Sequence, residues 1–124
     1  MIQLWRGAVA IFALLFLVLG VGFLIDPAGS ALRFFLAPLG TQGMASLRAD
    51  FTAFFVVGGA FAIYGVARRR RSALLVPIAL VGVALLGRAV SLVADGAPKT
   101  AFPPMVVETL TIIFLTLAYR GMRE

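Results

Sequence analysis

The chain contains no cysteine and no histidine. That excludes disulfides, thiol nucleophiles, imidazole general bases and the usual ligand sets for zinc, haem and iron–sulfur clusters. Carboxylates are nearly as scarce. The 124 residues hold only Asp26, Asp50, Asp95, Glu108 and Glu124. Most of these fit helix-end or ion-pair positions more simply than a hard-cation site, so neither a metal nor a cofactor is expected. No Walker-type phosphate loop or dinucleotide fingerprint is present. Gly58-Gly59 lies inside an apolar run with no strand before it, so it is not a nucleotide loop. There is no convincing internal repeat and no low-complexity segment.

What the chain has in abundance is apolar surface. Hydrophobic residues make up 62% of it, charged residues 13%, and the mean hydropathy is +1.08. Soluble domains run at about 45–50% apolar and about 25% charged, so the composition belongs to the membrane class. The length allows a single domain, residues 1–124, and no separate soluble module. A net charge of +6 would suggest nucleic acid in a soluble protein. Here the basic residues cluster at the ends of apolar runs, as in an inner-membrane protein, and no nucleic-acid partner is expected.

Four apolar runs can be delimited by their stop signals, at 4–25, 51–67, 73–94 and 103–119. Asp26-Pro27 closes the first, Arg68-Arg69-Arg70-Arg71 the second and Asp95-Gly96-Ala97-Pro98 the third; Pro103-Pro104 opens the fourth. Each is long enough to cross a hydrocarbon core of roughly 30 Å. The predicted fold is all-α: an antiparallel bundle of four transmembrane helices with both termini on one side. Seven cations (Arg6, Arg68 to Arg71, Arg120 and Arg123) fall on that side, against Arg33, Arg48 and Lys99 on the other. Trp5, Tyr64 and Tyr119 lie at the arginine-rich face, where an interfacial aromatic belt belongs. The positive-inside rule then makes the termini cytoplasmic. Arg6 followed by an apolar run has the start of a signal peptide without a convincing cleavage site, so it is read as an uncleaved first helix.

The longest connection, from Asp26 to Leu47, contains the amphiphilic stretch Ala31-Leu32-Arg33-Phe34-Phe35-Leu36. Two readings fit it: a short interfacial helix or lid on the outer surface, or a hydrophobic loop packed over the bundle. The arginines at 68–71 are expected to anchor the chain on anionic lipid headgroups, which makes membrane lipids its first partners.

Two charges remain inside the spans. Arg88 and Glu108 each sit about seven residues from the same end of oppositely directed runs, so both lie roughly 10 Å below one membrane face. A charge at that depth costs about 3 kcal/mol on insertion scales unless it is paired or wetted, so these two are expected to be partners. Helical spacing puts Pro77, Val81, Ala84, Arg88, Ser91 and Asp95 on one stripe. It likewise groups Arg48, Thr52, Phe55, Gly59 and Ala62, with Asp50 beside them. In the last span the stripe is Glu108, Thr111, Leu115 and Ala118. Small residues on these stripes favour close helix approach in lipid. The outer half of the bundle is therefore expected to gather Arg48, Asp50, Arg88, Ser91, Asp95 and Glu108. This cluster is either structural, an ion pair plus helix caps, or the lining of a cavity for a small polar or amphipathic molecule. A proton relay through Glu108 is the weaker variant, because only Thr116, Tyr64 and Tyr119 continue the path.

Leu47-Arg48-Ala49-Asp50-Phe51 opening a span that contains Gly-Gly, Gly87-Arg88-Ala89-Val90-Ser91 followed by Asp95-Gly96, and the lone Glu108 resemble the bacterial domain of unknown function 4345 family. The resemblance runs from about Leu4 to Tyr119 and implies a small four-helix bacterial membrane protein. It carries no established activity, so no catalytic residue is assigned. The leading expectation is a non-enzymatic protein that binds a small amphipathic or lipid-like ligand. An accessory or assembly subunit of a larger membrane complex is the alternative. A lipid-modifying enzyme using Glu108 and Asp50 as acid and base is the third class.

Overall fold

The computed structural model describes residues 2–122, and contains no strand among them. Arg123 and Glu124, used above in the charge count, lie outside the described residues. Helix α1 covers Ile2–Ile25; α2, Pro27–Leu32; α3, Gly40–Ser46; α4, Thr52–Ala67; α5, Leu75–Ala94; and α6, Phe102–Gly121. Four continuous helical stretches are long and apolar enough to cross a membrane: Gln3–Ile25, Gly40–Ala67, Arg71–Ala94 and Lys99–Gly121. Large apolar side chains such as Leu15, Val18, Val83, Val90, Val107 and Leu110 point outward from them. In water that surface would be an aggregation liability; in lipid it is the contact with acyl chains. The chain is a multi-pass, all-α four-helix membrane bundle.

Three spans match the stop signals to within a turn, and the second does not. It begins at Gly40, eleven residues before the predicted Phe51, and runs to Ala67 through a π-helical turn at Leu47–Phe51. Pro38, Gly40 and Gly43 look like loop punctuation, but Gly40 at φ +60° starts the helix and Gly43 lets the chain pass Pro38 closely. The connection from the first span thus shortens to 26–39. Asp26 caps α2 by accepting the Gly29 amide at 3.1 Å, with Pro27 opening the helix. The helix stops at Leu32, short of the predicted Leu36, and Phe35 turns the chain back at φ +60°. Ser30 and Ala31 are buried and Phe34 packs on Phe23, Phe51 and Phe55. The segment therefore lies packed over the bundle, while Phe35 is exposed.

The most extensive helix contact is α1 on α4, and glycines explain it. A Cβ on Gly59 would lie 2.9 Å from the Ala13 carbonyl oxygen, and one on Gly20 would lie 2.6 Å from Val56 Cγ2. Only glycine admits backbones this close, the packing mode favoured where lipid offers no hydrophobic drive. Helix α5 packs on α6 and α4, while α6 touches α1 more sparingly.

The two ends of the bundle are filled differently. At the arginine-rich end all four spans contribute to one core: Val9, Ala13, Ala62, Val66, Leu74, Leu115, Ala118 and Met122. Here Arg6 Nε donates to the Val66 carbonyl at 3.0 Å. Arg71 reaches the Tyr119 carbonyl at 3.5 Å and lies 4.8 Å from the centre of the Tyr119 ring. Both arginines thus serve the open carbonyls and negative dipole end of a neighbouring helix. Arg71 is half-buried, so only Arg68, Arg69 and Arg70 of the predicted anchor are exposed. At the opposite end the buried core is Phe23, Ala31, Leu47 and Phe55, with nothing from α5 or α6. That asymmetry leaves space between the helix pairs.

Candidate functional site

The space is a cavity of about 480 Å³. Its walls come from every span: Phe16 and Leu19 of α1, Phe54 and Phe55 of α4, Val81 and Ala84 of α5, Val107 and Thr111 of α6. Phe34, from the connection packed over the bundle, and Phe51 also line it. The rings touch one another. Phe16 meets Phe55 edge-on with centroids 5.0 Å apart, and Phe23 stacks on Phe55 at 5.8 Å behind the wall. Aromatic contacts of this kind add to area burial.

Charged side chains also reach this largely apolar space. Arg88 Nε donates to Glu108 Oε2 at 2.9 Å, joining α5 to α6 at matching depth. The side chains are 38% and 16% exposed respectively, so the pair is partly rather than fully buried. The second carboxylate oxygen, Glu108 Oε1, is buried with no hydrogen-bond donor. Both residues line the cavity. A charge-assisted bond at this distance is strong, yet it leaves the carboxylate with unused acceptor capacity.

Asp50 also lines the cavity. Its neighbour Arg48 does not, contrary to the stripe drawn from helical spacing. Arg48 is exposed and its Nε donates to the Leu24 carbonyl at 2.9 Å, closing the end of α1. The π turn at Leu47–Phe51 is the cause. One extra residue in a turn rotates everything before it by about 100° relative to α4, so 3.6-residue arithmetic across it fails. Arg48 thereby leaves the face shared by Phe55 and Gly59, and Asp50 enters the cavity wall. Ser91 and Asp95 are exposed and outside the lining. The Ser91 carbonyl accepts the Asp95 amide at 2.8 Å, and Asp95 ends α5 before Gly96 at φ +104°. Of the six predicted cluster residues, the fold brings together Asp50, Arg88 and Glu108.

Sequence reasoning missed the aromatic wall. Helical spacing puts Phe55 on an interior stripe, but Phe51 and Phe54 stand out only as part of an apolar run, and nothing in periodicity assigns Phe16 and Phe34 to the same place. The one signal was number: 11 phenylalanines against one tryptophan and two tyrosines. No group of three His, Cys, Asp or Glu side chains able to hold a metal occurs among the described residues. The hydroxyl of Thr111 donates to the Val107 carbonyl at 2.8 Å, so toward the cavity it has only lone pairs to offer. No family model matches the chain, and neither a curated protein nor a solved structure is significantly similar to it.

Proposed function

We propose that the protein binds a small amphipathic or lipid-like molecule in this cavity, without transforming it. The observation that carries the reading is the cavity itself. At about 480 Å³ it falls within the range of roughly 300–1,000 Å³ usual for small-molecule sites. Its walls are aromatic and aliphatic, with ionisable side chains confined to Asp50, Arg88 and Glu108. An apolar body with one polar end matches that division. Native mass spectrometry of protein extracted in mild detergent tests it. A bound small molecule is expected on the parent, and its loss is expected in Ala84→Phe, which fills the cavity from a half-buried wall position. A parent that carries no small molecule but a stoichiometric protein partner would replace this reading with that of an assembly subunit.

Part of the same proposal is the setting. The chain lies in a bacterial cytoplasmic membrane with both termini in the cytoplasm, as the excess of arginine on that face supports. The exposed Arg68, Arg69 and Arg70 rest on anionic headgroups there. Thr41, exposed on α3, then faces outward, and Thr41→Cys is expected to react with an impermeant maleimide in intact cells. Kinship with the domain of unknown function 4345 family belongs to this proposal too, resting on the Arg48–Asp50, Arg88 and Glu108 motifs alone.

A further inference from the structure

We infer that the cavity selects an amphipathic cation, an apolar body carrying a protonated amine, over neutral or anionic molecules of the same shape. This rests on the ligand-binding reading above and assigns the class of ligand. The ionisable side chains in the lining are Asp50, Arg88 and Glu108, a formal balance of one negative charge. The only cation among them already gives its Nε to Glu108 Oε2. Arg48, the nearest other cation along the chain from Asp50, is turned to the Leu24 carbonyl and is not in the lining.

Apart from the Nη groups of Arg88, what remains for a ligand is acceptor. Glu108 Oε1 has no donor, and the last torsion of a glutamate is soft, so an incoming N–H can draw that oxygen round. Asp50 lies in the wall without a hydrogen bond or ion pair to any described residue. The Thr111 hydroxyl has spent its proton on the Val107 carbonyl. Five phenylalanine rings share the lining: Phe16, Phe34, Phe51, Phe54 and Phe55. The faces of such rings carry negative potential and attract a desolvated ammonium group. A phosphate or carboxylate would find the Arg88 guanidinium, but it would also share the cavity with two carboxylates.

The test uses the full chain in nanodiscs of zwitterionic lipid and three probes of one chain length: decylamine, decanol and decanoate. Binding is measured by equilibrium dialysis, and Ala84→Phe is run in parallel to subtract partitioning into lipid. Decylamine is expected to bind about tenfold more tightly than decanol, and decanoate more weakly than either. Asp50→Asn, an exposed position whose change leaves the packing alone, is expected to lower decylamine affinity several-fold toward that of decanol. Decanoate binding as well as or better than decylamine would overturn the cation assignment and leave the ligand-binding reading standing. Equal binding of all three would do the same. No probe binding above the Ala84→Phe level would overturn both.

Discussion

Replacing Arg88 with leucine strips Glu108 of its hydrogen-bond donor. Glu108 Oε2 receives Arg88 Nε at 2.9 Å, and Oε1 already has no partner. The variant therefore leaves a carboxylate that is only 16% exposed with both oxygens bare. Breaking a buried pair in this way costs about 3–5 kcal/mol, and the low end suits a pair that is not fully enclosed. The reverse change, Glu108→Leu, is gentler. Arg88 is 38% exposed and its long stem can carry the guanidinium toward the interface, so a cost of about 1 kcal/mol is expected. In the double variant two leucines face each other where two charges stood. Such replacements are commonly neutral or better, so stability within about 1 kcal/mol of the parent is expected. The cycle then closes with a coupling of about 2 kcal/mol or more, read from reversible unfolding in mixed micelles. Equal losses in the two single variants would refute the asymmetry of burial. Additivity within about 0.5 kcal/mol would refute the partnership itself. The double variant also separates the two roles of the pair: the removed charges cancel and Asp50 remains, so it is expected to fold and keep a preference for decylamine, weakened by the loss of Glu108 Oε1.

Other consequences are open to simpler measurements. Gly20→Ala and Gly59→Ala drive a methyl group toward the Val56 backbone nitrogen at 3.1 Å and the Ala13 carbonyl at 2.9 Å, so each is expected to lose about 1–3 kcal/mol in the same unfolding assay. Gly87→Ala, with nothing within 4 Å of the new methyl, is expected to be neutral or up to about 1 kcal/mol stabilising. Arg69 sits at φ +54° just past α4, where the Arg70 amide closes back on the Gly65 carbonyl at 2.9 Å; Arg69→Gly is expected to gain about 1 kcal/mol. Phe34→Ala removes a cavity wall that belongs to the covering segment, and faster ligand release is expected in a dialysis time course.

Much of the architecture is legible in the sequence because a membrane makes local rules strict. A run of apolar residues about 30 Å long must be helical, since lipid offers no other partner for its backbone. Asp26-Pro27, the arginine run and Pro103-Pro104 then mark its ends with chemistry that needs no tertiary context. The contact between Arg88 and Glu108 is legible for a similar reason. Depth is fixed by counting residues from a helix end, and two opposite charges at one depth have few other places to go. The close pass of α1 and α4 is half legible. The glycines are visible, but not which backbone they admit.

Where the sequence misled, the deciding events were non-local. Periodicity assumes an unbroken 3.6-residue repeat, and the π turn at Leu47–Phe51 breaks it inside a segment that still reads as ordinary helix. That single insertion sends Arg48 to the Leu24 carbonyl and out of the expected cluster. The cavity itself has no local signature, because it exists only where residues are missing from a core. Val9, Leu74, Leu115 and Met122 fill one end of the bundle. At the other end α5 and α6 supply no buried side chain to the Phe23 and Phe55 cluster. Each helix by itself carries enough apolar surface to satisfy the bilayer, so the sequence alone determined a helical membrane bundle with a charged pair at one depth. How four such surfaces divide between lipid, one another and an empty space depends on volumes summed across all of them. Only the tertiary structure decides that sum.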